Sequence, residues 1–150
     1  MAAATVDISP DGFDPSGDLL ALVQGLQVTA IVGMIDPPRP ESLDAVRSAQ
    51  EANIRVRMVT GDDVVTGAAV AKQLGIEGEA ILGTDFAALS ETERLERIDG
   101  IGVVGRVAPE HKVLMVETLR KKGAVVAMTG DGVNDAPAIK AADIGIAMGT

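Results

Sequence analysis

The sequence predicts an α/β fold: a Rossmann-like, mostly parallel sheet with helices on both faces. Three observations carry this. From residue 28 onward, short β-branched runs alternate with longer runs of helical period, the pattern of repeated βαβ units. Most of the strand runs are predominantly apolar, as parallel strands covered on both faces tend to be. Gly, Pro and capping residues punctuate the joins.

Taken in order, residues 1–26 differ from the rest. The stretch AAATVDISPDGFDPSGD is rich in Gly, Pro, Asp and Ser and reads as a flexible acidic leader, with a short docked turn at 19–22. VTAIVGMI (28–35) reads as a buried strand, closed by the stiff turn Asp36-Pro37-Pro38. Residues 41–53 form a helix with Leu43, Val46 and Ala49 on one face. RVRMVT (55–60) is a strand, and 64–74 a helix ended by Gly75. AILG (80–83) is a short strand. Ser90-Glu91-Thr92-Glu93 is a capping box opening a helix to about residue 98. GVVGRV (102–107) is a strand, and 109–122 a helix with proline in its first turn. AVVAMT (124–129) is a strand, 135–142 a helix, and IGIAMG (144–149) a last strand.

Composition excludes several functions. A chain of 150 residues with 47% hydrophobic content can bury a core without crosslinks. No cysteine is present, so a disulfide scaffold and a thiolate metal site are excluded. Thirteen basic against twenty-two acidic residues give a net charge of -9, a poor match for nucleic acid. The only basic run, Arg120-Lys121-Lys122, falls at a helix end, where cations offset the helix dipole. The aromatics Phe13 and Phe86 make no base-stacking platform. No apolar run approaches the ~20 residues that span a bilayer, and no signal peptide is visible.

Two Thr-Gly-Asp turns concentrate the chemistry, at Thr60–Asp62 and Thr129–Asp131. Each follows a β-branched strand and leads into a helix, so each lies at the carboxyl end of a parallel strand, where ligands bind in open α/β sheets. Backbone N–H groups there can hold phosphate oxygens, and Thr60 adds a hydroxyl. Asp131 and Asp135 suit hard Mg²⁺. Aspartates also cap helices. A cap accounts for one acid at Asp62 or Asp63, but not for the cluster in TGDGVNDAP. Lys112, in the first turn of its helix, would in most proteins be solvated, but clustered acids and a bound phosphate both call for a counter-charge. His111, a lone histidine, reads as structural. GIGVVG (100–105) is not a dinucleotide fingerprint, because no helix opens at its third glycine. No GxxxxGK[ST], HExxH or GxSxG motif occurs.

MVTGDD, RVAPEHK and MTGDGVNDAPAIKAADIGIAMG resemble the phosphorylation domain of P-type cation-transporting ATPases, in the haloacid-dehalogenase-like superfamily, over residues 28–150. GMIDPPRPE resembles the type II branch, which includes calcium, sodium–potassium and proton pumps. The resemblance implies that Thr60 and Gly61 hold the transferred phosphoryl group and that Lys112 neutralises it. It implies Asp131 as the Mg²⁺ ligand, and Asn134 and Asp135 as residues ordering phosphate and nucleophile. Asp62 and Arg106 would lie near the nucleotide, and Asp36 would brace the site. The implied chemistry is ATP-driven formation and hydrolysis of an aspartyl phosphate. Its setting would be the cytoplasmic face of a membrane pump for calcium or another type II ion.

The family's nucleophile lies in an Asp-Lys-Thr-Gly-Thr motif, and this chain contains no Asp-Lys pair and no Asp-x-Asp. Residues 27–150 are therefore expected to be a partial phosphorylation domain lacking the nucleophile strand, inactive alone and joined to the membrane only through helices it does not contain. A soluble phosphatase of the same superfamily, or a truncated regulatory binding module, are the alternatives. The missing strand would leave two apolar edges, 55–60 and 124–129. Unpaired apolar edges recruit strands, so closure or filling of the gap is expected over an open slot.

Overall fold

The computed structural model describes residues 1–11, 13–33 and 37–148. Contacts divide the chain into two units, Met1–Pro37 and Pro38–Thr150.

In the first unit, β1 (Ala2–Thr5) pairs antiparallel with β2 (Gln27–Ile31). Every residue of both strands is exposed, including Val28 and Ile31. The reading of a buried strand is thus corrected for residues 28–31, while residues 34 and 35 of that run lie outside the described residues. A β-branched run fits any sheet, and only its partner decides whether both faces are covered. Leu19–Leu22 is a 3₁₀ turn capped by Asp18, as the sequence suggests, but its leucines lie exposed. Asp36, assigned a bracing role by resemblance, lies outside the described residues.

The second unit is α/β. Its main sheet is parallel, ordered β3 (Met58–Val59), β5 (Ile101–Gly105), β4 (Glu79–Leu82). All five residues of the central strand β5 are buried. Neighbouring residues of β5 face opposite ways, as the pleat requires. Val103 packs with Ala71 and Ile76, flanked by Val46 of helix α1 (Pro40–Glu51), where Ala71 belongs to α2 (Val64–Gln73). Val104 packs on the other side with Phe86 of α3 (Gly83–Ala88) and Met115 of α5 (Pro109–Lys121). Helices therefore cover both faces.

The end signals act as read. Ser90 and Glu93 form the reciprocal capping box of α4 (Glu91–Arg97), Pro109 opens α5, and Gly75 follows α2 with φ of 73°. Helix α3 was not anticipated. It has no side-chain cap, and the wholly buried Phe86 anchors it.

A second parallel pair, β6 (Ala127–Gly130) with β7 (Ile144–Ala147), carries α6 (Ala136–Ala141) on its surface. Its core joins Val126 and Ala138 to Val116 of α5. Among the described residues, β3 pairs only with β5 and β6 only with β7. Between them opens a cavity of about 520 Å³, lined by Ile54, Val59, Met115, Val126, Met128 and Lys112 among others. The expected closure does not occur. Helix α5 gives Met115 to one core and the adjacent Val116 to the other, so both sheets are anchored on one rigid rod and their edges stay apart.

Candidate functional site

Lys112 lines this slot, and each Thr-Gly-Asp turn continues a strand that reaches it, at Val59 and at Met128. At the first turn, β3 runs on past Val59: the Thr60 N–H donates to the Val104 carbonyl at 3.0 Å, and the Val107 N–H returns to the Thr60 carbonyl at 3.2 Å. The Thr60 hydroxyl accepts the Asp62 N–H at 3.1 Å, which leaves its own proton free to donate. Gly61 is exposed, and an added Cβ there would meet nothing within 4 Å.

Asp63 caps α2 by accepting the Val65 N–H at 3.0 Å, and its second oxygen accepts from Arg106 Nε at 3.1 Å. The Val65 N–H first, and then Arg106, hold the Asp63 carboxyl below the ordinary aspartate range. Arg106 has a left-handed backbone, φ 48°, and its N–H donates to the Asp62 carbonyl at 2.8 Å. The loop after β5 is thereby tied to the first turn. Asp62 itself is exposed.

The second turn is built differently. After β6 the chain makes a 3₁₀ turn, Val133–Asp135, which carries Asp135 back beneath Gly130. An added Cβ at Gly130 would lie 2.5 Å from the Asp135 Cβ, so only glycine admits this approach. Asp135 is buried, 8% exposed, with one oxygen accepting the Lys112 ammonium and the other the Gly132 N–H at 3.2 Å. The side chains of Lys112 and Asp135 are only 13% and 12% exposed. The Lys112 hydrogen bond, ahead of the N–H groups of Gly132 and Asp131, holds the Asp135 carboxyl below the usual range despite the opposing effect of burial.

The structure thus joins Lys112 directly to Asp135, and Arg106 to the Asp62–Asp63 backbone and side chain. Asp131 and Asn134 stand exposed on the second turn. Sequence reasoning passed over Gly130 and Asp63 as distinct functional positions, and the spacing from Gly130 to Asp135 was the available signal. Among the described residues, no three His, Cys, Asp or Glu side chains gather into a metal cage. What the turn does offer is one exposed carboxylate, Asp131, four residues before the buried Asp135 carboxylate. That fits Mg²⁺, which keeps several waters and takes one or two carboxylates plus phosphate oxygens.

Comparison with known proteins agrees with this geometry. The haloacid dehalogenase-like hydrolase family matches residues 9–143. The chain belongs to the haloacid dehalogenase-like hydrolases. Within them it is similar to calcium-transporting ATPase 1 of Bacillus cereus, 49% identical over 88% of this chain and 15% of that protein. It is also similar to the cation-transporting ATPase pma1 of Synechocystis, 50% identical over 83% of this chain and 14% of that protein. The probable cation-transporting ATPase F of Mycobacterium tuberculosis is 41% identical over 94% of this chain and 16% of its own length. This haloacid dehalogenase-like chain therefore spans about one-seventh of the length of the relatives it matches. The resemblance to P-type pumps drawn from MVTGDD, RVAPEHK and TGDGVNDAP holds. No described helix is long and apolar enough to cross a membrane.

Proposed function

We propose that residues 27–150 are part of the phosphorylation domain of an ATP-driven cation pump, working at the cytoplasmic face of a membrane and lacking the strand that bears the nucleophile. The observation that carries this reading is the buried Lys112–Asp135 pair at the edge of the slot. A cation held by one carboxylate beside an unfilled strand position is poised to meet a phosphoryl group delivered there. The pump relatives, named for calcium or for cations generally, support the reading.

In this mechanism a carboxylate oxygen, supplied by a strand entering the slot, attacks the γ-phosphorus of ATP and ADP leaves. Water later attacks the aspartyl phosphate and releases inorganic phosphate. Thr60 donates its free hydroxyl proton, and Gly61 its N–H, to the phosphoryl oxygens. Lys112 turns part of its hydrogen bonding from Asp135 to the phosphoryl group, neutralising charge where it develops. Asp135 keeps the ammonium aimed, and the Asn134 amide orders phosphate and nucleophile. Asp62 and Arg106 face the nucleotide. Asp131 would hold Mg²⁺, which supplies charge neutralisation and orientation of the phosphates when bound. Calcium is the favoured transported ion among the type II ions, and its ligands would lie in membrane helices.

A chimera tests the reading: this segment replaces its counterpart in the Bacillus cereus relative. Phosphoenzyme formed from labelled ATP should be retained in the chimera and reduced by ~10²-fold or more by Lys112→Ala or Asp131→Asn, the scale of losing one transition-state charge contact. The isolated chain should take up no acid-stable label. Undiminished phosphoenzyme in both variants would overturn the assignment.

A further inference from the structure

Helix α5 begins without an ordinary cap. Ala108 holds the capping position, and its side chain has no oxygen to offer the first-turn N–H groups. The His111 ring supplies the other half of a capping box, an acceptor for the N–H of the cap residue itself. Its Nδ1 accepts the Ala108 N–H at 3.1 Å, the same backward reach that a glutamate makes in a capping box. The ring is also gripped from outside the helix. Gly83, buried at the start of α3, sits so close that a Cβ there would lie 2.6 Å from His111 Nδ1 and 3.2 Å from the Val107 Cα. Lys112 is the next residue, and its own N–H reaches the Ala108 carbonyl at a long 3.4 Å. The turn that aims Lys112 is therefore closed by two bonds between His111 and Ala108, the backbone N–H of His111 to the Ala108 carbonyl at 3.0 Å and the ring from its seat against Gly83.

We infer that His111, seated against Gly83, is a positioning residue for Lys112: it fixes the first turn of α5 so that the ammonium meets Asp135 at the slot. The inference rests on the reading of Lys112 as the phosphoryl counter-charge only for its functional meaning. The geometry requires one tautomer, with Nδ1 bare to accept and the proton on Nε2. His111→Gln keeps an acceptor that can reach back to Ala108, His111→Leu keeps bulk without one, and Gly83→Ala drives a methyl into the ring's seat.

The test is NMR on the full chain, following the ¹⁵N signals of the His111 ring and the ammonium of Lys112, then adding inorganic phosphate with magnesium. The expected result is an unprotonated Nδ1 and a slowly exchanging Lys112 ammonium. That ammonium signal should be lost in His111→Leu and Gly83→Ala but kept in His111→Gln. Phosphate affinity should fall about fivefold in the first two and return in the third, the equivalent of losing one cap. If His111→Leu does not fold, Gly83→Ala and His111→Gln still decide the matter. An ammonium signal in Gly83→Ala and His111→Leu identical to the parent's, or a protonated Nδ1, overturns the inference. If phosphate leaves the parent's Lys112 signal unmoved while the variants still alter it, positioning stands and the phosphoryl reading fails.

Discussion

The same tripeptide, Thr-Gly-Asp, ends two strands of this chain, and the two turns use their acids in opposite ways. At Thr60–Asp62 the next acid, Asp63, caps α2 and holds Arg106 in an exposed pair. At Thr129–Asp131 the decisive acid comes four residues on. Asp135 folds back under Gly130 and is buried with Lys112. The first turn is braced by backbone ladders to the central strand, while the second adds to its ladder with β7 a buried ion pair whose lysine lines a cavity. The spacing of the following acid, rather than the shared motif, separates an exposed cap from a buried ion pair.

Four comparisons press on that difference, from the largest effect to the smallest. Alanine at the two motif glycines should separate the turns most sharply. Gly130→Ala forces a methyl onto Asp135 and breaks the ion pair, costing about 3 kcal/mol or more. Gly61→Ala meets open space and a backbone outside the left-handed region, so it should change stability by less than ~1 kcal/mol, in the stabilising direction. Urea unfolding of both variants reads this directly, and equal losses would erase the distinction.

Amide replacement of the two acids comes next. Asp135→Asn leaves the Lys112 ammonium without its carboxylate and should cost about 2 kcal/mol, moderated by water entering from the slot. Asp63→Asn keeps a good cap and loses only an exposed pair, so it should shift stability little. Thermal unfolding should rank them in that order.

Acid should act on the second turn through Asp135. The folded-state pKa of Asp135 is depressed, so its stabilising contribution is fully present above the ordinary aspartate value of 3.8 and is lost as pH falls through the lower folded value. Between pH 5 and pH 3, stability of the parent should fall more steeply than that of Asp135→Asn. Parallel curves would mean the carboxylate carries no linked stability.

The smallest effect belongs to Arg106. Its left-handed backbone favours glycine, and Arg106→Gly should therefore offset the lost ion pair, leaving stability within about 1 kcal/mol of the parent by urea titration. In the chimera the same change should weaken ATP use through the proposed nucleotide contact. Weakened folding with unaltered ATP use would reverse that assignment.

Much of the second unit was legible from the sequence because its signals are local. Pro109, the Ser90–Glu93 box and Gly75 each act within a turn of themselves, and each marks an observed helix end. Boundaries of strands were longer in the sequence than in the structure: residues 55–60 reduce to Met58–Val59, with Thr60 adding its ladder bonds. What was hidden is non-local. The pairing of Gln27–Ile31 with Ala2–Thr5 depends on a partner more than twenty residues away, as register usually does. Helix α3 lacks a cap signal and exists because Phe86 finds a core. For the site, the residue types at Lys112 and Asp135 pointed to charge chemistry, but their union across 23 positions did not follow from spacing. His111 read as structural, and it does cap α5, but its seat against Gly83 was not legible because Gly83 lies on another element.

Helix α5 carries one more consequence. Because Met115 faces one core and Val116 the other, the β6–β7 lobe and the main sheet share this helix while their strand edges stay unpaired. The smaller lobe, with only a two-stranded ladder and exposed outer residues, can therefore loosen as a unit without unzipping the buried strand β5. The turn that carries Asp135 belongs to this two-stranded lobe, whose opening hydrogen exchange would read apart from that of β5.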